Sequence, residues 1–299
     1  MFAITGATGN TGSIVAGKLL ADGEKVRVIG RDAGRLARFV HQGAQAFAAD
    51  VTDAEALARA FDGASAVYAM VPPNMGAANV RAYQEEVGDA MVSALQKAAV
   101  SHVVLLSSYG ADKAEKTGPV VGLHNMEEKL NAISGLNAIY LRAGYFMENL
   151  LPQVDVIHNF GIVGGPVRVD VNLPMIATRD IGAAAAGFLK SEFSGKQAHE
   201  LLGQRDVAYK EVASVIGRGI GKPELAYVQL PAQQLKPALQ QMGMSSNMAD
   251  LLLEMAESLN TGYMRALEPR SPQNTTPTSL ETFVAEEFVP RYQGKAAKA

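Results

Sequence analysis

The chain of 299 residues contains no cysteine, which removes disulfides, zinc thiolates and a cysteine nucleophile at once. It has no surplus of positive charge: 27 Lys and Arg stand against 30 Asp and Glu, a formal net charge of −3 with a pI near 6.0. General affinity for nucleic acid needs a basic face that displaces counterions, so no direct nucleic-acid binding is expected. No apolar run reaches the roughly 18 residues of a membrane span. No cationic segment precedes an apolar core at the start either. A cytoplasmic protein with no membrane role is the expectation. The histidines, His41, His102, His124, His158 and His199, show no paired helical spacing, so no metal site is expected. Internal repeats and low-complexity blocks are missing too, and only Gln293 to Ala299 reads as a frayed tail.

What is present is 48% hydrophobic and 19% charged residues, enough core for one large α/β domain or a domain with a smaller lobe. The first dozen residues are the most informative. Phe2-Ala3-Ile4-Thr5 runs into glycines at Gly6, Gly9 and Gly12, and Ile14, Val15, Leu19 and Leu20 then recur at helical spacing. This is a strand, a tight turn and a helix. In such a turn one glycine permits the reversal, one lets the backbone approach a pyrophosphate, and one lets helix and strand pack closely. The phosphate meets the helix N-terminus, where free N–H groups and the helix dipole favour an anion. Gly6, Thr8, Gly9, Asn10, Thr11 and Gly12 are therefore candidate cofactor ligands.

The second strand, Lys25 to Ile29, ends at Gly30-Arg31-Asp32, where the adenosine ribose would lie. An acidic residue there selects the 2′-hydroxyl of NAD, whereas Arg31 suits a 2′-phosphate. NADP(H) is preferred on this reading, and the adjacent Asp32 keeps NAD(H) open.

Short strands then alternate with helices, the pattern of a parallel sheet covered on both faces. Strands are expected at 44–48, 65–71, 103–106 and 137–141, and helices at 54–61, 76–99 and 120–133. Thr52-Asp53-Ala54-Glu55 reads as a capping box, and Pro72-Pro73 ends the fourth strand. Ligands of such sheets bind outside the carboxyl ends of the strands. That rule gathers Gly6 to Gly12, Arg31, Asp50, Val51, Met70, Val71, Pro72 and Ser107 to Tyr109 into one crevice. The expected fold is a Rossmann-like, doubly wound parallel sheet over residues 1–155. A smaller, mostly helical lobe over 156–299 closes on the crevice. Strand-like His199 to Leu202 blurs that boundary by offering a return to the main sheet, and Thr278-Ser279-Leu280-Glu281 reads as a second capping box.

With the glycine turn, Arg31, Ser107-Ser108, His124-x-x-x-Glu128 and the stretch Leu141-Arg142-Ala143-Gly144-Tyr145-Phe146-Met147-Glu148-Asn149 in hand, a resemblance emerges. The chain resembles the NmrA-like branch of the atypical short-chain dehydrogenase/reductases, and within it the bacterial NADPH-dependent quinone oxidoreductases. The resemblance implies NADP(H) binding by the turn and Arg31. It also implies a substrate held between the fourth strand, Tyr145-Phe146 and the C-terminal lobe.

The superfamily's usual chemistry uses a tyrosine and a lysine four apart on the helix after the fifth strand. Tyr109-x-x-x-Lys113 has that spacing but begins two residues after Ser107, too early for the helix. Counting back from Ser134-Gly135-Leu136 puts Val120 and His124 at the expected positions. Quinone or azo reduction fits such a departure, because a reduced quinone is a delocalised phenolate to which water can give a proton. His124 is expected to act as a donor or ribose ligand, or to pair with Glu128 one turn on. Tyr145 is the second catalytic candidate, with Tyr109, Phe146 and Asn149 beside it as substrate contacts. A small-molecule acceptor is the expected partner. The alternative is a nucleotide-sensing regulator that binds NAD(P) without turnover, and a homodimer or a regulatory protein partner stays open.

Overall fold

In the computed structural model, which describes residues 1–294, the alternation of short apolar runs and helical segments becomes a seven-stranded parallel sheet. The first half of the chain supplies β1 (Phe2–Ile4), α1 (Asn10–Ala21), β2 (Val26–Gly30), α2 (Ala33–Val40), β3 (Gln45–Ala48) and α3 (Ala54–Phe61). It continues with β4 (Ala66–Ala69), α4 (Val80–Lys97), β5 (His102–Ser108), α5 (Val121–Asn131) and β6 (Asn137–Ala143). Then come β7 (Tyr145–Phe146), α6 (Gln153–Phe160), β8 (Val163–Gly165), β9 (Asn172–Ile176), α7 (Thr178–Lys190) and β10 (Lys196–Leu201). The chain closes with β11 (Asp206–Ala208), α8 (Tyr209–Gly219), β12 (Tyr227–Gln229), α9 (Ala232–Gln241), α10 (Ser246–Asn260), α11 (Leu280–Phe283) and α12 (Val289–Tyr292).

The main sheet runs β3-β2-β1-β4-β5-β6-β10, and its order reverses between β1 and β4. That reversal is the switch point at which open α/β sheets hold ligands. Helices on both faces explain why β4 is buried along its whole length and reads as continuous Ala-Val-Tyr-Ala rather than as an alternation. Val15, Leu19, Ile139 and Leu141 share one face with Ile181 and Leu189 of α7, while Leu57, Met91, Leu95 and Leu130 pack on the other. Each such buried side chain contributes about 1.5–3 kcal/mol.

The segment beyond 156 rejoins the main sheet, as the pattern at His199 suggested, but earlier: β10 pairs with β6 in parallel from Lys196 opposite Ala138 to Leu201 opposite Ala143. Helix α7 covers the same sheet face as α1. Gly182 permits this close packing, since a Cβ there would sit 2.6 Å from Ile14. The expected division at 155 is therefore crossed by one strand and one helix. The remaining C-terminal elements surround a core of their own that includes Leu173, Val212, Ile216, Phe283 and Phe288. In that half β9 pairs with β11 and, on its other side, with β7 of the preceding segment, and β8 pairs with β12.

Local chemistry shifts several expected caps and boundaries, although α3 keeps its expected span of Ala54–Phe61. Helix α3 is capped by Asp53, which accepts from Ala56 N–H at 2.9 Å, because Thr52 is spent on Asp50. Ser279, not Thr278, caps α11 by accepting from Thr282 N–H at 3.0 Å, while Thr278 is bound to Asp180. Helix α4 begins at Val80 rather than Gly76, since Asn79 caps it through Ala82 N–H at 3.0 Å. β4 stops at Ala69 because Met70 N–H turns to the Thr5 hydroxyl, 3.2 Å away. Gln293 and Gly294 form a turn, and the rest of the expected tail lies outside the described residues.

Candidate active site

The end of β1 is fixed from the side by Thr5, whose hydroxyl donates to Tyr68 O at 3.0 Å and whose N–H reaches the same oxygen. The chain then reverses at Gly6, which has φ +60° and lies against Met70: a Cβ there would sit 2.5 Å from the Met70 sulfur. Gly12 lies against the backbone of the turn, with a virtual Cβ 2.3 Å from Gly6 O, so no side chain fits. Gly9 differs. Its Cβ would meet only Gly6 O, at 3.3 Å, a tight contact that a shift of a few tenths of an ångström relieves.

The start of α1 has the features of a phosphate cradle. Its N-cap is Gly9, with no side chain bonded to the first turn, whereas α2, α3, α4 and α10 are capped by Asp32, Asp53, Asn79 and Ser245. Free N–H groups at a helix start, lined by glycine and facing outward, suit a pyrophosphate. Gly9 and Asn10 are exposed there, and Thr8 is half-buried. Thr11 points inward and is buried, its hydroxyl accepting from Tyr68 at 2.9 Å.

At the end of β2, Arg31 is exposed and its charge acts on Asp50. The N–H of Thr52 first, then its hydroxyl and Arg31, hold the Asp50 carboxyl below the usual range against its partial burial. Val51 is half-buried beside it. Asp32 is committed to the cap of α2, accepting from Gly34 and Arg35 N–H at 2.8 and 3.3 Å. Arg35, which sequence reasoning passed over, donates to Thr8 O at 3.5 Å and brings a second guanidinium to the glycine turn. Its signal was there in retrospect: it lies one helical turn beyond Arg31, across a capping aspartate.

A cavity of about 300 Å³ opens where β4 and β5 end. Met70, Val71 and Pro72 form one side, Ser107 to Tyr109 another, and Tyr145, Phe146 and Asn149 a third. Helix α10 and the loop after it close it with Met248, Met255, Leu259 and Met264. These last four were not singled out from the sequence, although Met248 and Met255 stand seven apart on one helical stripe.

His124 is placed otherwise than expected. Its Nδ1 donates to Ala111 O at 2.8 Å, the ring does not border the cavity, and Leu123 and Val120 do. It does not pair with Glu128, which accepts from Asn131. Lys113 pairs with Asp112 at 2.8 Å in the loop after β5, away from any helix, as its early position implied. The Ser107 hydroxyl is turned beneath the cavity floor. It donates to Glu127 at 2.5 Å, and Glu127 is buried and held by Arg142 at 2.5 and 3.1 Å. Ser107 thus serves as wall, with its hydroxyl occupied.

Tyrosine hydroxyls supply most of the polarity at the inner end. Tyr209 donates to the Tyr145 oxygen at 3.2 Å and stacks on Tyr227, with ring centroids 4.6 Å apart. The Tyr109 hydroxyl is buried with no partner among the described residues. Burial pushes the pKa of Tyr109, Tyr145 and Tyr209 upward, so all three remain protonated donors at neutral pH.

The sequence that builds this glycine-capped helix and this apolar cavity matches a family model over nearly its whole length. The model for the NmrA-like family covers residues 1–288. The chain belongs to the NmrA-like family. This NmrA-like chain is 26% identical over 277 residues to the NAD(P)H azoreductase of Xenophilus azovorans, covering 92% of the chain and 93% of that relative. It is 27% identical over 259 residues to quinone oxidoreductase 2 of Escherichia coli (strain K12), with coverages of 85% and 86%. A crystal structure of the NADPH-dependent quinone oxidoreductase of Escherichia coli complexed with NADPH superposes with a TM-score of 0.77 at 22% identity. That match covers 100% of this chain and 96% of the other, and it establishes the fold.

Proposed function

We propose that the protein is an NADPH-dependent oxidoreductase passing hydride to a quinone-like or azo acceptor held in the cavity. One observation carries this reading: the glycine-capped start of α1 and the apolar cavity meet at the same edge of the sheet, at the β1/β4 switch point. When bound, NADPH supplies a hydride equivalent. Gly6, Gly9, Gly12 and the α1 N–H groups hold the pyrophosphate, with Thr8 and Asn10 at its edge. Arg31 and Arg35 take the 2′-phosphate, while Asp32 gives one carboxylate oxygen to its helix cap. Asp50 and Val51 border the adenosine, and Met70, Val71, Pro72 and Ser107 border the nicotinamide.

On the acceptor side Phe146 and Asn149 wall the ring, and Tyr145 donates a hydrogen bond to the atom on which charge develops. The Tyr109 hydroxyl is a second neutral donor, buried behind this wall, that an acceptor meets only if the side chain turns. Water at the mouth, where Asn149 is exposed, completes the protonation of a phenolate product. His124 holds the loop bearing Ala111 and acts on the site through it. The reductase names of the azoreductase and quinone oxidoreductase relatives support the same reaction class.

The test is NADPH oxidation by the purified protein, followed by nicotinamide absorbance, with a panel of benzoquinones and neutral azo compounds. Acceptor-dependent turnover is expected. Tight NADPH binding with no oxidation by any acceptor over hours would sink the reading in favour of a nucleotide sensor.

A further inference from the structure

We infer that the cavity selects uncharged aromatic acceptors and refuses anionic ones, an inference that rests on the acceptor reading above and sharpens it. Among the described residues, no side chain lining the cavity carries a formal charge. Its polar groups are hydroxyls and amides, among them Tyr83, Gln84, Ser108, Tyr109, Tyr145 and Asn149. Charged side chains on the lining elements stand outside the lining, two of them in pairs: Arg81 of α4 meets Glu254 of α10 at 3.3 Å, and Glu127 of α5 is bound to Arg142.

The wall chemistry points the same way. Met70, Met75, Met248, Met255 and Met264 contribute thioethers, polarisable and free to change rotamer around the edge of a flat ring. A neutral quinone gives up little hydration to enter such a wall, and the Tyr145 hydroxyl, whose proton the bond from Tyr209 leaves free, can satisfy a carbonyl oxygen. A sulfonate or carboxylate gives up its hydration and meets no cation in return, which is costly in a site of low polarity.

A naphthoquinone and its ring-sulfonated derivative separate charge from reactivity. The sulfonate withdraws electrons and makes the ring the stronger oxidant, so poorer turnover of that compound cannot arise from driving force. The absence of cysteine also removes thiol addition as a side reaction. Equilibrium binding is measured by calorimetry on protein loaded with tetrahydro-NADP, whose neutral ring has no hydride to give and adds no cation to the cavity, and kcat/KM is measured with NADPH. The parent quinone should bind about tenfold or more tighter than the sulfonate, with kcat/KM in the same order. Met75→Lys places a cation at a lining position already 43% exposed and should narrow the gap.

Equal affinity for the two compounds, no binding of the parent quinone, or a gap untouched by Met75→Lys would overturn the inference. A binding gap without any NADPH oxidation would remove the reductase reading and leave the charge selection standing. Equal kcat/KM for both compounds would do the reverse.

Discussion

The hydroxyl of Tyr209 donates to the oxygen of Tyr145 at 3.2 Å, which leaves the Tyr145 proton free for an acceptor in the cavity. Tyr209 opens α8, and its ring is fixed by stacking on Tyr227, whose own hydroxyl donates to Val167 O at 2.6 Å. Tyr145→Phe should lower quinone kcat by about tenfold to a hundredfold while the dissociation constant of NADPH stays unchanged. Tyr209→Phe keeps the ring and the stack but frees Tyr145 to turn. It should cost a smaller factor, about threefold to tenfold, in kcat. If both variants turn over quinones at the wild-type rate, Tyr145 is packing alone.

The glycines of the turn separate binding from folding. A Cβ at Gly9 meets only Gly6 O at 3.3 Å, whereas one at Gly12 would lie 2.3 Å from that oxygen. Gly9→Val should abolish NADPH binding in calorimetry with a melting temperature close to wild type. Gly12→Ala should instead destabilise the cofactor-free protein by about 1–3 kcal/mol, the usual cost of forced overpacking. Normal NADPH binding by Gly9→Val would place the phosphate elsewhere.

These contrasts show which features were legible in the linear chain. Glycine spacing and strand periodicity exposed β1 to β6 and the crevice, because both are local patterns with short-range causes. The register of the caps was off by one at Thr52 and Thr278, since each threonine has a partner that only its three-dimensional neighbourhood reveals: Asp50 for one and Asp180 for the other. For His124 the sequence hid the partner for a related reason. Counting back from Ser134-Gly135-Leu136 put it toward the crevice, while the loop after β5 folds back to present Ala111 O to its ring. The α10 methionines were invisible as cavity lining because their apolar stripe looks like any core-facing helix.

His124→Ala tests that revised placement. With its ring on Ala111 O, the residue steadies the loop that carries Tyr109, so its removal should raise KM for the quinone about threefold to tenfold and leave kcat nearly intact. His124→Asn, which keeps a donor within reach of the loop, should restore part of the loss. A drop confined to kcat would mean that the imidazole meets the reacting atoms directly.

Glu148 predicts a pH effect on stability. One carboxylate oxygen accepts from Thr178 N–H and its hydroxyl at 2.9 and 2.6 Å, while the other is buried without a partner among the described residues. Burial raises its pKa above the usual glutamate range despite the bonds to Thr178. The folded state therefore penalises the ionised form. That penalty is absent below the unfolded pKa and complete above the raised folded one, so stability falls as pH rises between them. Glu148→Gln keeps an acceptor for Thr178 and removes the charge. Its melting temperature relative to wild type should increase from about pH 4 to about pH 8. A difference that stays flat or shrinks would show that the ionised carboxylate is well accommodated.

Arg31 and Arg35 predict the cofactor preference. Both arginines are exposed, Arg31 near Asp50 and Arg35 reaching Thr8 O, and Asp32 between them gives one carboxylate oxygen to the cap of α2. A charged hydrogen bond to phosphate is worth about 1.5–3 kcal/mol, so Arg31→Ala should weaken NADPH by about tenfold to a hundredfold. NADH lacks that phosphate and should bind within about a factor of three of wild type. Arg35→Ala should act in the same direction but less, and the double variant should bind the two cofactors almost equally. Ionic strength supplies an independent check: added salt should weaken NADPH more than NADH in the wild type, and this difference should collapse in the double variant. Equal losses for both cofactors in Arg31→Ala would mean that the arginine supports the turn rather than the 2′-phosphate.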